Sequence, residues 1–253
     1  MSMPRFYCDL KHDLKHRGNL ALGAVITLPE RAATHASRAL RLETGDGVIL
    51  FNGDGNDYIS ELLLVKKNIV TAKVKSIKKV ECESPIKVTL AQAISSGDRM
   101  DFTIQKAVEM GVTAIQPIAS QRSVVKLSGE RAEKRREHWQ NIVISACEQS
   151  GRALVPEVTA PLTLANWLGT EPAFRTRIML SPTATQTLQD LANPTGAICL
   201  LIGPEGGLTA DEIDLAATHH FIPVRLGSRI LRTETAALAA LAAMQTLWGD
   251  FKA

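Results

Sequence analysis

Two short glycine-punctuated turns near the carboxyl end constrain this chain more than any other feature. Ile202-Gly203-Pro204-Glu205-Gly206-Gly207 and Leu226-Gly227-Ser228-Arg229-Ile230-Leu231-Arg232-Thr233-Glu234-Thr235 each lie between an apolar run and a helix start. Residues 197–202 are continuously apolar and of strand length, which suits a central strand covered on both faces. Thr209 followed by Glu212 reads as a capping box, so a helix is expected from about Ala210, with Asp211 and Glu212 at its positive end. The second turn repeats the plan, with residues 221–226 as the strand and 235–248 as the helix, although Pro223 weakens the strand. That helix sets six alanines around Leu238, Leu241, Met244 and Leu247, so it is apolar on nearly every side and is expected to be buried. Its small side chains fit a deep core or a subunit interface.

An ordinary strand-to-helix connection accounts for one such turn. Two of them, both at the strand ends where α/β sheets bind ligands, favour a ligand instead. Gly206 and Gly207 can take positive φ and leave room for a flat molecule to lie against peptide groups.

The first eighty residues differ in texture. Residues 24–28, 48–51, 58–62 and 69–74 read as strands, separated by turns at 52–57 and 66–68, and 30–42 has helical composition. Arg31, Arg38 and Arg41 fall near one side of that helix and could face phosphates. Lys66, Lys67, Lys73, Lys75, Lys78 and Lys79 either keep strand edges soluble or touch RNA. Near residues 81–85 the pattern changes to alternating elements: strands at 86–91, 114–118 and 177–180, helices at 98–110 and 128–149, then the two units above. Such alternation implies a largely parallel sheet sandwiched by helices. The charge run Glu130-Arg131-Ala132-Glu133-Lys134-Arg135-Arg136-Glu137-His138 reads as a solvated face.

Composition excludes several classes. A length of 253 residues at 45% hydrophobic supports a large and a small core, hence two domains, 1–80 and 81–253. A formal net charge of +3 is too small for a polybasic nucleic-acid coat, so any RNA contact must be local. Cys8, Cys82, Cys147 and Cys199 lack paired spacing and two of them lie in apolar runs, which argues for reduced, buried thiols and points to a cytoplasmic protein. No signal-peptide core and no membrane-length apolar run is present. There is no G-x-G-x-x-G and no G-x-x-x-x-G-K-[ST]. His12 and His16 lack a third ligand, so no metal is expected. Ser95, Ser96 and Ser228 lack a nucleophile elbow, and His219 and His220 suit a helix end.

The stretch from Gly203 to Leu208, followed about twenty residues later by Leu226 to Ala236, resembles the RsmE family, 16S rRNA uridine-N3 methyltransferases of the SPOUT superfamily. Arg5-Phe6, residues 35–41, Gln105-Lys106-Ala107-Val108-Glu109 and Glu148-Gln149-Ser150-Gly151-Arg152 extend the resemblance to nearly the full length. It implies an α/β fold of SPOUT type, a trefoil-knotted, mostly parallel sheet flanked by helices, behind a small β-rich PUA-like RNA-binding domain; real knots are rare exceptions to untangled connections. It implies S-adenosylmethionine held by three loops, with Leu180, Ile202, Gly203, Glu205, Gly206, Gly207, Leu226, Gly227, Ile230, Leu231 and Thr233 as the binding residues and Leu180-Ser181-Pro182 in the third loop.

Methyl transfer to uridine N3 needs close positioning and stabilisation of the uracil anion. Arg232 is the candidate for the anion, and Glu234 either accepts the proton or orients Arg232. Arg5, Arg38 and Arg41 are the RNA-binding candidates, since guanidinium groups hold phosphates bidentately and stack on bases. The family target is uridine 1498 of 16S rRNA in the 30S subunit, and the family's sites are completed by a homodimer. A non-catalytic RNA-binding or ribosome-assembly protein with the same fold, and an α/β enzyme using another nucleotide, are the competing expectations.

Overall fold

Alternation of inward apolar and outward polar residues builds the first sheet. The computed structural model describes residues 3–9, 20–125, 128–170 and 173–251; His12 and His16 lie outside them. The chain divides into two compact units, Met1–Glu83 with Cys147–Val155, and Ser84–Ala146 with Pro156–Ala253. The expected division at 80 and 81 does not include this return of Cys147–Val155 to the first unit.

The first unit holds β1 (Arg5–Tyr7), β2 (Val25–Thr27), α1 (Glu30–Thr34), β3 (Gly47–Phe51), β4 (Asn56–Lys66) and β5 (Ile69–Lys79). Their order in the sheet is β1-β3-β4-β5-β2, with β1 parallel to β3 and the other pairs antiparallel. Along β5, Val70, Ala72 and Val74 point into the core while Lys73 and Lys75 point out, as a half-buried strand requires. Phe6, Leu50, Leu62 and Val70 join Ala33 and Ala36 in that core.

Two details differ from the sequence reading. The expected helix over 30–42 stops early: α1 gives way to a π-helical turn at His35–Ala39, and Arg41 follows in the left-handed region at φ 53°. Arg31, Arg38 and Arg41 are all exposed, but Arg41 is not on the same helix face. Strand β1 had no periodic signal because it is three residues long.

Cys147–Val155 is fastened to its own unit by charge. The Tyr7 N–H donates to Glu148 (3.0 Å), and Arg152, 4% exposed, donates to Glu83 (3.1 Å) while its carbonyl accepts from Arg5 (3.2 Å). Arg5 also pairs with Asp57 at 2.6 Å and lies over the Phe51 ring at 5.0 Å. Its guanidinium is thus committed within the unit, which corrects the expectation that Arg5 faces RNA.

The second unit carries β6 (Val88–Ala93), α2 (Gly97–Glu109), β7 (Ala114–Ile118), most of α3 (Gly129–Ser150), β8 (Glu157–Val158), α4 (Leu164–Leu168), β9 (Thr176–Leu180), β10 (Ile198–Ile202), α5 (Ala210–Thr218), β11 (Ile222–Val224) and α6 (Thr233–Leu247). The six strands run β11-β9-β10-β6-β7-β8 and every pair is parallel. All five residues of β10 are buried, as a continuously apolar central strand should be. Pro223 sits in β11 at the sheet edge, where a missing N–H is tolerated. Helix α5 opens with the Thr209 and Glu212 capping box. Strand β8 and helix α4, absent from the sequence reading, are two and five residues long.

Helix α6, apolar on nearly every side, has one face buried within the single chain. Ala237, Ala240, Leu241 and Met244 are buried on one face, whereas Leu238, Ala239, Ala242, Ala243 and Leu247 remain partly exposed. Cys8, Cys147 and Cys199 are buried, and Cys82 is exposed.

Candidate active site

Parallel strands deliver their connecting loops to one edge of the sheet, and three such loops meet beyond β9, β10 and β11. After β9, the Ser181 N–H donates to the Val224 carbonyl (2.9 Å), joining the loops that follow β9 and β11. After β10, the Gly207 N–H closes a turn onto the Pro204 carbonyl (2.9 Å). Gly207 has φ 70° and a side chain there would meet nothing within 4 Å, so its face is open. A β-carbon on Gly203 would lie 3.2 Å from the Leu208 nitrogen, so any side chain there would press on the backbone at Leu208, a close approach that suits glycine. Gly206, for which positive φ was open, does not take it, while Gly227 does, at 70°.

A buried relay fixes the geometry from below. Gln92, at the end of β6, donates to the Thr233 hydroxyl (2.9 Å), which donates to the Gly203 carbonyl (2.7 Å). Because both roles of the hydroxyl are taken, Thr233 braces the loop against the start of α6. Arg122 holds the same loop from outside, donating to the Gly206 carbonyl at 2.9 Å.

Glu205 points its carboxylate at the start of α2. Its Oε1 accepts from the Ser96 N–H (3.3 Å), the Ser96 hydroxyl (3.3 Å) and the Arg99 guanidinium (3.0 Å). Burial pushes this carboxyl upward. Hydrogen bonds from its own backbone, from Ser96 and from Arg99 outweigh burial and hold it below the usual range.

The loops enclose a cavity of about 660 Å³, a size suited to a small organic ligand. Leu180, Ile202, Gly203, Glu205, Gly206, Gly207, Leu226, Gly227, Ile230, Leu231 and Thr233 all line it, and so does Arg232. Arg232 precedes α6, is exposed, and its guanidinium has no ion-pair partner among the described residues. Glu234 does not line the cavity; its Oε2 is buried in the first turn of α6 with no hydrogen-bond partner among the described residues. The lining also includes Arg99, Met179 and Ala236, which the sequence did not single out. In the other unit Arg38 is exposed and donates to Asn68 (3.1 Å).

The family model described as RNA methyltransferase domain matches residues 82–245, and that described as RNA methyltransferase PUA domain matches 28–75. Ribosomal RNA small subunit methyltransferase E of Buchnera aphidicola subsp. Schizaphis graminum is 36% identical over 231 residues, covering 91% of this chain and 94% of the relative. The chain belongs to the ribosomal RNA small subunit methyltransferase E family. A Bacillus subtilis methyltransferase E is 35% identical, with 83% of this chain and 85% of the relative covered. Among solved structures, the Neisseria gonorrhoeae methyltransferase E bound to S-adenosyl methionine is 45% identical, with a TM-score of 0.90 over 99% of this chain and 100% of that one. A Legionella pneumophila methyltransferase in complex with the same cofactor is 38% identical, with a TM-score of 0.92 over 99% and 100%. The parallel sheet with its helices and the β-rich amino-terminal unit are thus those of an RNA methyltransferase family.

Proposed function

We propose that this chain is an S-adenosylmethionine-dependent methyltransferase of small-subunit ribosomal RNA, acting on N3 of a uridine, the position designated 1498. The observation that carries this reading is the cavity at the carboxyl ends of β9, β10 and β11, built from three loops in a member of this family, with Arg232, which has no ion-pair partner among the described residues, at its wall. The residues fit the cofactor. Met179, Ile202, Leu226, Leu231 and Ala236 give apolar surface for a purine, and the loop backbones supply the amides and carbonyls that discriminate it. That the three loops form a trefoil knot belongs to the same reading.

The bound cofactor supplies an electrophilic methyl group on a sulfonium. The chain's own work is to hold the uracil edge in line with it and to favour its anion. With no partner among the described residues, Arg232 is placed to donate to a uracil oxygen, which is the preorganisation that lowers a barrier. Glu234 would need to turn from its buried position to take the N3 proton; Glu234→Gln tests this, with a loss of kcat at unchanged cofactor affinity as the supporting result. Arg38 and Arg41, both exposed, are the RNA contacts offered by the first unit. Arg38→Glu with Arg41→Glu should weaken RNA binding and its salt dependence while leaving cofactor affinity alone.

The half-exposed face of α6 and the 46% exposed Phe102 of α2, a helix packed against α6, are apolar surfaces suited to a second copy of the chain. Among the described residues no helix is long and apolar enough to cross a membrane. Placement in the cytoplasm follows from the proposed substrate, the 30S particle or its 16S rRNA.

The deciding experiment is mass spectrometry of 16S rRNA from a strain lacking the gene, with the gene restored on a plasmid. Loss of the methyl group at the uridine and its return on restoration support the reading; an unchanged methylation level favours a non-catalytic assembly protein. In vitro transfer to 30S particles compared with naked 16S rRNA then decides the substrate form.

A further inference from the structure

Arg99 enters the cavity from a distant part of the chain, 106 residues before the Glu205 it pairs with. It sits in the first turn of α2, where the partial positive charge of the helix end disfavours a cation. Stability alone would not place an arginine there. Nor does Glu205 need it for satisfaction, since the Ser96 N–H and hydroxyl already donate to the same oxygen. An exposed ion pair by itself adds little to folding.

What the pairing does is geometric. Glu205 engages one terminal nitrogen, Nη1, at 3.0 Å, and the side chain remains 43% exposed. The other donors of the guanidinium have no partner among the described residues. A planar cation held at one corner in the wall of a ligand cavity, with its remaining donors unpartnered among the described residues, is prepared for a second oxyanion.

We propose that Arg99 binds an oxyanion in this cavity and that Glu205 is the residue that positions it. The oxyanion is either the carboxylate of the bound nucleoside's amino-acid arm or a phosphate of the incoming RNA. The assignment rests on the methyltransferase reading above. It changes the part expected of Glu205, from a direct ligand contact to an aiming group that also ties the glycine loop to α2.

Calorimetric titration of wild type, Arg99→Met and Arg99→Lys with two probes separates the sources. S-Adenosylhomocysteine carries the carboxylate; 5′-methylthioadenosine has the same nucleoside without it. If the carboxylate is the ligand, Arg99→Met weakens S-adenosylhomocysteine about tenfold or more and leaves methylthioadenosine unchanged. If the phosphate is the ligand, both nucleosides bind as before, the KM for the RNA substrate rises about tenfold, and the salt slope falls by about one. Arg99→Lys keeps the charge without the fork and should fall between.

Glu205→Gln should show the same selectivity more weakly, and the double variant Arg99→Met with Glu205→Gln should be no worse than Arg99→Met alone. Variants that match wild type with both probes and with RNA overturn the proposal, as does an equal loss for the two nucleosides, which marks a merely collapsed loop. A folded wild type that binds neither nucleoside overturns the methyltransferase reading itself, a result seen before any variant is compared.

Discussion

Arg232 and Glu205 show how two charged side chains beside one cavity can have opposite employment. Arg232 has no ion-pair partner among the described residues, so its charge is available to a reacting base. Arg232→Ala should lower kcat by about a hundredfold or more, the size of effect seen when one preorganised donor to a developing anion is lost, with S-adenosylmethionine affinity within about twofold of wild type. Single-turnover transfer to 30S particles with parallel titration checks both halves. Glu205 is already spent on Ser96 and Arg99. Because its carboxyl is held below the usual value of 4.5, its contribution is fully present above that pH and is lost as pH falls through the lowered value. If the nucleoside's carboxylate is the ligand of Arg99, S-adenosylhomocysteine affinity should therefore be flat from neutrality to about pH 5 and weaken only in more acid solution; a loss already complete at pH 6 would assign the titration to another group.

The glycines separate the same way. Gly207→Ala should cost about 1 kcal/mol of stability from its positive φ alone, read by urea denaturation. Gly203→Ala must also displace Leu208, so its cofactor affinity should fall further than that of Gly207→Ala. The glycine loops were legible in the sequence because apolar runs stop at them. Arg99 was not, since a single arginine in an amphipathic helix carries no periodic signature, and only the fold brings it 3.0 Å from Glu205. The left-handed position at Gly207 and the ordinary one at Gly206 could not be told apart for a like reason: two adjacent glycines permit both.

At the scale of elements, α6 is the informative case. Its alanine-rich composition announced a helix with little polar surface, yet the structure buries only one face, leaving Leu238 and Leu247 half-covered in the single chain. Composition reports how much apolar surface exists and is silent about what covers it. The two faces should respond differently to substitution. Leu241→Ala, at a site 1% exposed, should cost about 2–5 kcal/mol, measured by denaturation. Leu238→Glu should leave the chain folded and shift a dimer toward monomer in sedimentation velocity, because a carboxylate is tolerated in water and costly in an apolar contact. A Leu238→Glu protein that stays dimeric would remove α6 from the proposed subunit contact. Elements β8 and α4 escaped sequence reading through brevity, since two and five residues do not complete a period that can be recognised.

For the whole molecule, the division into two units was visible as a change of texture, but the discontinuity of the first unit was not. Glu148 and Arg152 look like part of the longest helix and the loop after it. Their partners, Tyr7, Arg5 and Glu83, lie 69 to 147 residues away, a separation that leaves no local pattern. A fragment comprising residues 1–80 lacks Glu83, Glu148 and Arg152, so Arg5 loses the Arg152 carbonyl, Tyr7 loses the Glu148 carboxylate, and Leu154 and Val155 no longer lie against Gly55 and Gly53. That fragment should show poorly dispersed amide resonances. Adding a peptide spanning 147–155 at high concentration should partly restore dispersion, and a well-dispersed spectrum of the fragment alone would mean that the returning segment is dispensable.

The returning segment also sets an order in time. A nascent chain emerges from its amino terminus, and the sheet built from the first strands cannot reach its final packing until Val155 has left the ribosomal exit tunnel. By then β6, α2 and β7 have already been synthesised. The RNA methyltransferase PUA domain is therefore encoded ahead of the RNA methyltransferase domain yet finished late, so a stall in translation between residues 83 and 147 would release a half-built unit to chaperones and proteases.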